Sequence, residues 1–218
     1  MRLISVLLLA GSTAVLPQVV PSKRATAERH ALKAFVSPDG TFSFNYPDLL
    51  NRCEQKLQRT GEGYYWTPDT CAGFSGVCDV ALDPNYVTLA CFAYPRNEFT
   101  DTPAFEAAAF SVSIIEKLSE KECLEGSRNW TIVRRAKTAT IQGRQFKLFE
   151  TEGAATSHGM RTEVYRTVHD GRCYQLATAV AVTNPDVFDP PARKLTELDR
   201  NEVNGRLKQA LESFRFLR

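Results

Sequence analysis

Histidine is scarce in this chain, three residues in 218, and no C-x-x-C spacing occurs among its six cysteines. Those two shortages remove the common zinc patterns. A G-x-S-x-G elbow is also missing: "GFSGV" around Ser75 has the wrong spacing, which excludes the hydrolases built on that turn. There is no glycine-rich phosphate loop, no internal repeat and no low-complexity tract. Nor does one sign of charge dominate. The formal charge is +2, and loss of Arg2, Lys23 and Arg24 with an N-terminal leader leaves 24 basic against 25 acidic residues. A near-neutral chain of this kind argues against nucleic acid as its partner. Long apolar runs are absent too. The run from Leu3 to Ala10 is interrupted by Gly11, Ser12, Thr13, Pro17 and Gln18, short of the ~20 residues that a membrane span needs. No transmembrane anchor is therefore expected once a leader is removed, and no metal or cofactor is implied.

What is present begins with that leader. Arg2, the apolar run and the small residues Ser12-Thr13-Ala14 have the layout of a secretory signal peptide. Residues 1–25 are assigned to it and to the start of a tether, 26–33 to the tether, and 34–218 to one folded domain. The cysteines agree with export. Cys53, Cys71, Cys78, Cys91, Cys123 and Cys173 are even in number and all lie beyond the leader, as a disulfide framework in an oxidising compartment requires. Asn129-Trp130-Thr131 fits the glycosylation pattern, and chance explains it as well.

Local patterns give the elements. Phe42, Phe44 and Tyr46 alternate, a strand signal. Pro47 then opens an expected helix with Leu49, Leu50, Cys53 and Leu57 on one face. Two strands are expected around Asp83-Pro84-Asn85-Tyr86. Pairing Leu82 with Val87 sets Cys78 opposite Cys91, within disulfide reach; a local Cys71–Cys78 link competes. A short helix is expected from Pro103, then a strand through Phe110, Val112 and Ile114. Ser119 and Glu122 form a capping box for a short helix. From Trp130 to Thr183 the pattern is an antiparallel meander turned at Gln142-Gly143, by a longer Gly-Ala-Ser loop, and at Asp170-Gly171. Thr196 and Asp199 cap a last helix whose stripe is Val203, Leu207, Ala210, Leu211 and Phe214.

This order is α+β. Meander strands carry apolar residues on both faces, Val164, Ala177 and Ala179 on one and Tyr165, Leu176 and Val180 on the other. A helix layer on each face of an antiparallel sheet, an α/β/α sandwich, is expected from that. At "DGTFSFNYPDLL" and the closing "ALESFRFL" the chain resembles the PsbP-like and DcrB-like families of exported α/β/α sandwich proteins. The resemblance covers about residues 34–218 and implies a binding, assembly or accessory role rather than catalysis. The six cysteines and the long Tyr64–Cys78 segment depart from the family pattern.

Candidate chemistry is sparse. The Asp170-Gly171 turn pairs Val168 with Cys173 and sends His169 and Cys173 to opposite faces. His158 lies eleven residues before His169, about 35 Å along an extended strand, so the three cannot share an ion. They read as a loop histidine, a turn histidine and a disulfide cysteine, with Cys123 the chosen partner of Cys173. His30 falls in the tether. Glu150 and Glu152 face the same way about 7 Å apart along a strand, a spacing open to inverting glycosidases; a solvated strand end paired with Arg161 or Arg166 is the plainer reading. Tyr64, Tyr65, Trp66 and Phe74, set among glycines beside cysteines, suit recognition of a protein, peptide or glycan ligand. The sequence thus describes an exported, disulfide-stabilised, non-catalytic binding or accessory protein. A glycosidase-like hydrolase using the strand carboxylates is the alternative, and a purely structural envelope protein a third class.

Overall fold

Alternation at Phe42, Phe44 and Tyr46 forms strand β2 (Phe42–Pro47), flanked by β1 (Leu32–Val36) and by β11 (Arg215–Phe216) in a three-stranded antiparallel sheet. The computed structural model describes residues 30–57, 64–67, 71, 76–80, 85–95, 102–125 and 132–217. The leader, Phe74, Leu82 with the turn at 83–84, and Asn129 lie outside the described residues. A second sheet has eight strands in the order β4-β3-β5-β6-β10-β9-β8-β7. These are β3 (Asn51–Leu57), β4 (Tyr64–Thr67), β5 (Tyr86–Ala93), β6 (Phe105–Ile115), β7 (Ile132–Ile141), β8 (Arg144–Ala155), β9 (His158–His169) and β10 (Arg172–Thr183). All their pairings are antiparallel. Helices α1 (Glu120–Glu125) and α2 (Glu197–Ser213) follow β6 and β10.

The meander β7–β10 is present as expected. Both central residues of its outer turns have positive φ, Gln142 at 46° with Gly143 at 79° and Asp170 at 49° with Gly171 at 70°, the geometry of two-residue hairpins that matches strand twist. Register follows: Arg172 pairs with His169 and Cys173 with Val168. The middle turn differs from expectation. β8 and β9 continue to Ala155 and His158, leaving only Thr156-Ser157 between them, with Thr156 at φ 55°. Strand pairing carried to the ends satisfies backbone groups that a longer loop would leave to water.

Three other expectations are corrected. The helix after Pro47 is strand β3, because residues 51–57 find backbone partners on β4 and β5, with Cys53 opposite Cys91; tertiary pairing overrides a helical-looking stripe. Pro103 starts a turn, not a helix, and β6 begins at Phe105. Tyr64–Thr67 is the edge strand β4 rather than loop. The disulfides are Cys53–Cys71, Cys78–Cys91 and Cys123–Cys173. The pairings Cys78–Cys91 and Cys123–Cys173 match expectation, while the competing Cys71–Cys78 link is replaced. Cys78 stands in a turn, not in a strand opposite β5.

One face of the large sheet carries an aromatic core beneath α2 and the small sheet. Phe44 sits at its centre, 5.0 Å from the rings of Phe35 and Phe110 and 5.3 Å from Phe92. Edge contacts of this kind add about 0.5–1.5 kcal/mol per pair beyond burial. Val203, Leu207, Ala210 and Leu211 of α2 are buried there, as is Phe214. The opposite face was expected to carry a second helix layer. Among the described residues its cover is instead the stapled segment of Cys71, Val77, Cys78 and Val80, packed on Ala93, Ala107, Ala109, Ala177 and Ala179. Small side chains on that face let irregular chain approach closely enough to do the work of a helix. Helix α1 sits at the sheet's end, tied down by Cys123–Cys173 and by the Ser119–Glu122 capping box.

A buried cation fastens the stapled segment. Arg166 has no exposed surface, and its Nε and Nη2 donate to Gln175 Oε1 at 3.1 and 2.9 Å. Gln175 Nε2 donates onward to the Val80 carbonyl at 3.0 Å. Replacing Gln175 by Leu removes the acceptor and the tie to Val80 together. The expected loss is about 1.5–3 kcal/mol, the range for hydrogen bonds to a charged group, read as a lower urea midpoint. An unchanged midpoint would show that Arg166 is held by other means.

Candidate functional site

α2 does not cover the whole sheet. Its apolar stripe starts at Val203, so the first turns stand off the floor made by β8, β9 and β10. Between them lies a cleft of about 550 Å³. Arg200 and Asn204 form its roof, one helical turn apart and therefore on one face. Thr178, Val180 and Val182 of β10 form the floor, with Glu152, Arg161 and Glu163 along one side. Pleat parity puts these residues together: Glu152 pairs with Arg161, Arg161 with Val180, and Glu163 with Thr178.

The roof is held by a capping box. Asp199 N donates to Thr196 Oγ1 at 3.2 Å, and Thr196 N donates to Asp199 Oδ2 at 2.9 Å. Arg193 Nη1 adds a contact to the same oxygen at 2.8 Å. Burial of Asp199 opposes its ionisation, but the Thr196 hydrogen bonds and Arg193 outweigh burial and hold its carboxyl below the usual range.

Charge inside the cleft is largely paired. Arg161 reaches Glu150 Oε2 and Glu152 Oε1, each at 3.6 Å. Lys137 also lies 3.9 Å from Glu150. Glu163 accepts from the Tyr165 hydroxyl at 2.7 Å and lies 4.0 Å from Lys208. Arg200 is the exception: among the described residues no carboxylate lies within ion-pair reach of it. Glu152 thus lines the cleft while Glu150 does not, and the two are partners of one guanidinium, the pairing with Arg161 that the plainer reading of that strand named.

Other candidates fall elsewhere. Tyr64, Tyr65 and Trp66 lie on β4, opposite Leu57, Lys56 and Gln55, and the Cys53–Cys71 bridge fixes the neighbouring β3; their side chains lie outside the described residues. His169 is buried and stacks on Phe216 with centroids 3.8 Å apart. Cys53, Cys78 and Cys91 bring their sulfurs within 4.8 Å of one another, yet each is bonded in a disulfide. His30 Nδ1 contacts Asp48 at 3.2 Å.

One cluster had no sequence signal. The register of β6 on β10 shifts between Ala181 and Val182, so Glu106 is the extra residue of a bulge, a device that re-aims side chains. Glu106 Oε1 then meets His158 Nδ1 and accepts from Thr183 Oγ1. The Thr183 hydroxyl lies 3.4 Å from that same Nδ1. A nucleophile–base–acid relay needs the two ring nitrogens to serve different partners, so this cluster is a strap across three strand ends. The residues are 52 and 77 positions from Glu106, and only the bulge joins them.

Tyrosine burial around these elements has a measurable consequence. Burial, with the Glu163 hydrogen bond, pushes the Tyr165 phenol far above its ordinary value. Burial and the nearby Asp79 push Tyr86 up to about 12. Raised folded values mean that the fold favours neutral phenols. That stabilisation is complete below the unfolded value of about 10 and is lost as pH climbs through the folded ones. Urea stability should fall from about pH 10 upward, less steeply in Tyr165→Phe. Full tyrosinate absorbance near pH ~10 in a still-folded protein would contradict it.

No family model matches this sequence, and no curated protein does. Solved structures do. A protein from Bacteroides thetaiotaomicron VPI-5482 aligns with TM-score 0.42 and 10% identity over 85% of this chain and 48% of its own; the chain spans about half of that protein. The cyanobacterial PsbP of Synechocystis sp. PCC 6803 aligns at 0.38 and 10% identity, over 88% of this chain and 96% of its own. LpqN, involved in cell envelope biogenesis of Mycobacterium tuberculosis, aligns at 0.37 and 7%, over 62% and 80%. A PsbP is thus among the structural neighbours, at a likeness too low to carry a function across. Among the described residues no helix is long and apolar enough to cross a membrane.

Proposed function

We propose that this chain is an exported, disulfide-stabilised accessory protein that binds a ligand in the cleft beneath the first turns of α2 and performs no reaction of its own. The cleft carries the reading. Its volume falls within the range of small-molecule sites, about 300–1,000 Å³, and its composition, an apolar floor with a few convergent polar groups, is the usual one. Its lining holds no histidine, cysteine or serine, and its side-wall carboxylates are engaged by Arg161, Lys208 and Tyr165. Export is supported by the leader-like N-terminus and by six cysteines joined in three bridges.

Native mass spectrometry of protein taken from the exporting compartment of its host tests this. Wild type should retain a ligand that Val180→Trp, which fills the floor, loses with an unchanged circular dichroism spectrum. Ligand lost in Trp66→Ala but kept in Val180→Trp would move the site to the aromatic strand β4. The same preparation should show no titratable thiol without reductant, and six thiols would overturn export. A glycosidase-like hydrolase using Glu150 and Glu152 is the second reading, favoured by the place of Glu152 at the cleft wall. It requires glycoside turnover that disappears in Glu150→Gln and Glu152→Gln.

A further inference from the structure

The proposed cleft also constrains what can fill it, and this step rests on the binding reading above. We infer that its ligand is an amphipathic monoanion, a single carboxylate or equivalent acid group on an apolar chain or ring.

The argument is one of charge. Glu150 and Glu152 share Arg161, with Lys137 beside Glu150, and Glu163 has Lys208 and the Tyr165 hydroxyl. What remains at the cleft is one guanidinium, Arg200, without a carboxylate among the described residues. A ligand seated between α2 and the floor takes water away from that roof. Covering an uncompensated charge is costly, and a matching charge with hydrogen bonds removes the cost. A neutral occupant would leave the charge unmatched. A cationic one would have to break a wall ion pair to find a partner. An anion needs to displace nothing.

The geometry suits a carboxylate. Guanidinium presents a planar fork that takes both oxygens at once, and the Asn204 amide lies one turn further along the same helix face. The rest of the site is apolar. Val180 and Val182 form the floor, with Met160 and Ala154 beside them, and a ligand's hydrocarbon gains by leaving water there. One charge at the roof and hydrocarbon at the floor specify a head and a body.

A matched series separates the possibilities: decanoate, decanol and decylammonium, each titrated calorimetrically below its aggregation concentration into the full protein. Decanoate should bind about tenfold or more tightly than the other two, the factor expected for one hydrogen-bonded charge pair. Arg200→Gln, an exposed change on α2, should erase that preference. Val180→Trp should abolish all binding. If decanol or decylammonium equals decanoate, or if Arg200→Gln leaves decanoate unaffected, the anion assignment is overturned while the cleft stands. Failure of all three probes to bind wild type also overturns it. Decanoate binding that survives Val180→Trp would overturn the cleft itself.

Discussion

Pleat parity in the β7–β10 meander is the constraint on which the rest depends. A strand slipped by one residue sends every side chain to the other face. Here the two-residue turns at Gln142-Gly143 and Asp170-Gly171, with positive φ throughout, lock the count. Tyr165 and Leu176 then face the aromatic core, while Val164, Arg166 and Ala177 face the stapled segment. The same count places Arg161, Thr178 and Val180 under α2. Core and cleft are consequences of one register, so a substitution that shifted a turn would remove both.

The two faces solve the same burial problem by different means. On one, large rings and a 17-residue helix exclude water. On the other, alanines leave little side-chain volume to interdigitate with a helix. The cover there is short chain held by Cys53–Cys71 and Cys78–Cys91, which close separations of 18 and 13 residues. Bridges over loops of this size are worth about 3 kcal/mol each in the chain-entropy account. The Arg166–Gln175–Val80 chain of hydrogen bonds supplies a polar tie where packing is thin. Covalent and polar fastening substitutes for apolar area on that side.

Features with local causes were legible in the sequence. Asp-Gly and Gln-Gly turns, the two capping boxes and the α2 stripe each depend on residues within a few positions of one another, and each is found where its pattern lies, save Phe214, which ends the helix in extended conformation and leads into β11 instead of continuing the stripe. The hairpin's parity separated His169 from Cys173; that Cys123 is the partner of Cys173 was a choice that no local pattern dictated. Features that depend on distant chain were not legible. Leu49, Leu50 and Cys53 satisfy helical spacing, and only the presence of β4 and β5 on either side makes Asn51–Leu57 a strand. β1 buries one residue of five, so no alternation announces it. The Glu106–His158–Thr183 strap needs a bulge that no local pattern marks. The cleft needs the offset of a helix from a sheet, which composition does not encode; of the two strand carboxylates singled out in the sequence, only Glu152 lies on its wall.

Arg200 stands where two helix effects oppose one another. The first turn of α2 carries Glu197 and Asp199, acids that complement the positive end of the helix dipole. A cation just after them gains nothing from the dipole and is repelled by it, by a few tenths of a kcal/mol at an exposed site. Its i+4 neighbour is Asn204, but its i−3 neighbour is Glu197, an acid-before-cation order that favours a helix by about 0.2–0.5 kcal/mol. Arg206, mostly buried, pairs with Glu202 at 3.1 Å. With dipole and neighbour nearly cancelling, neither decides the place of Arg200 on a roof over an apolar floor.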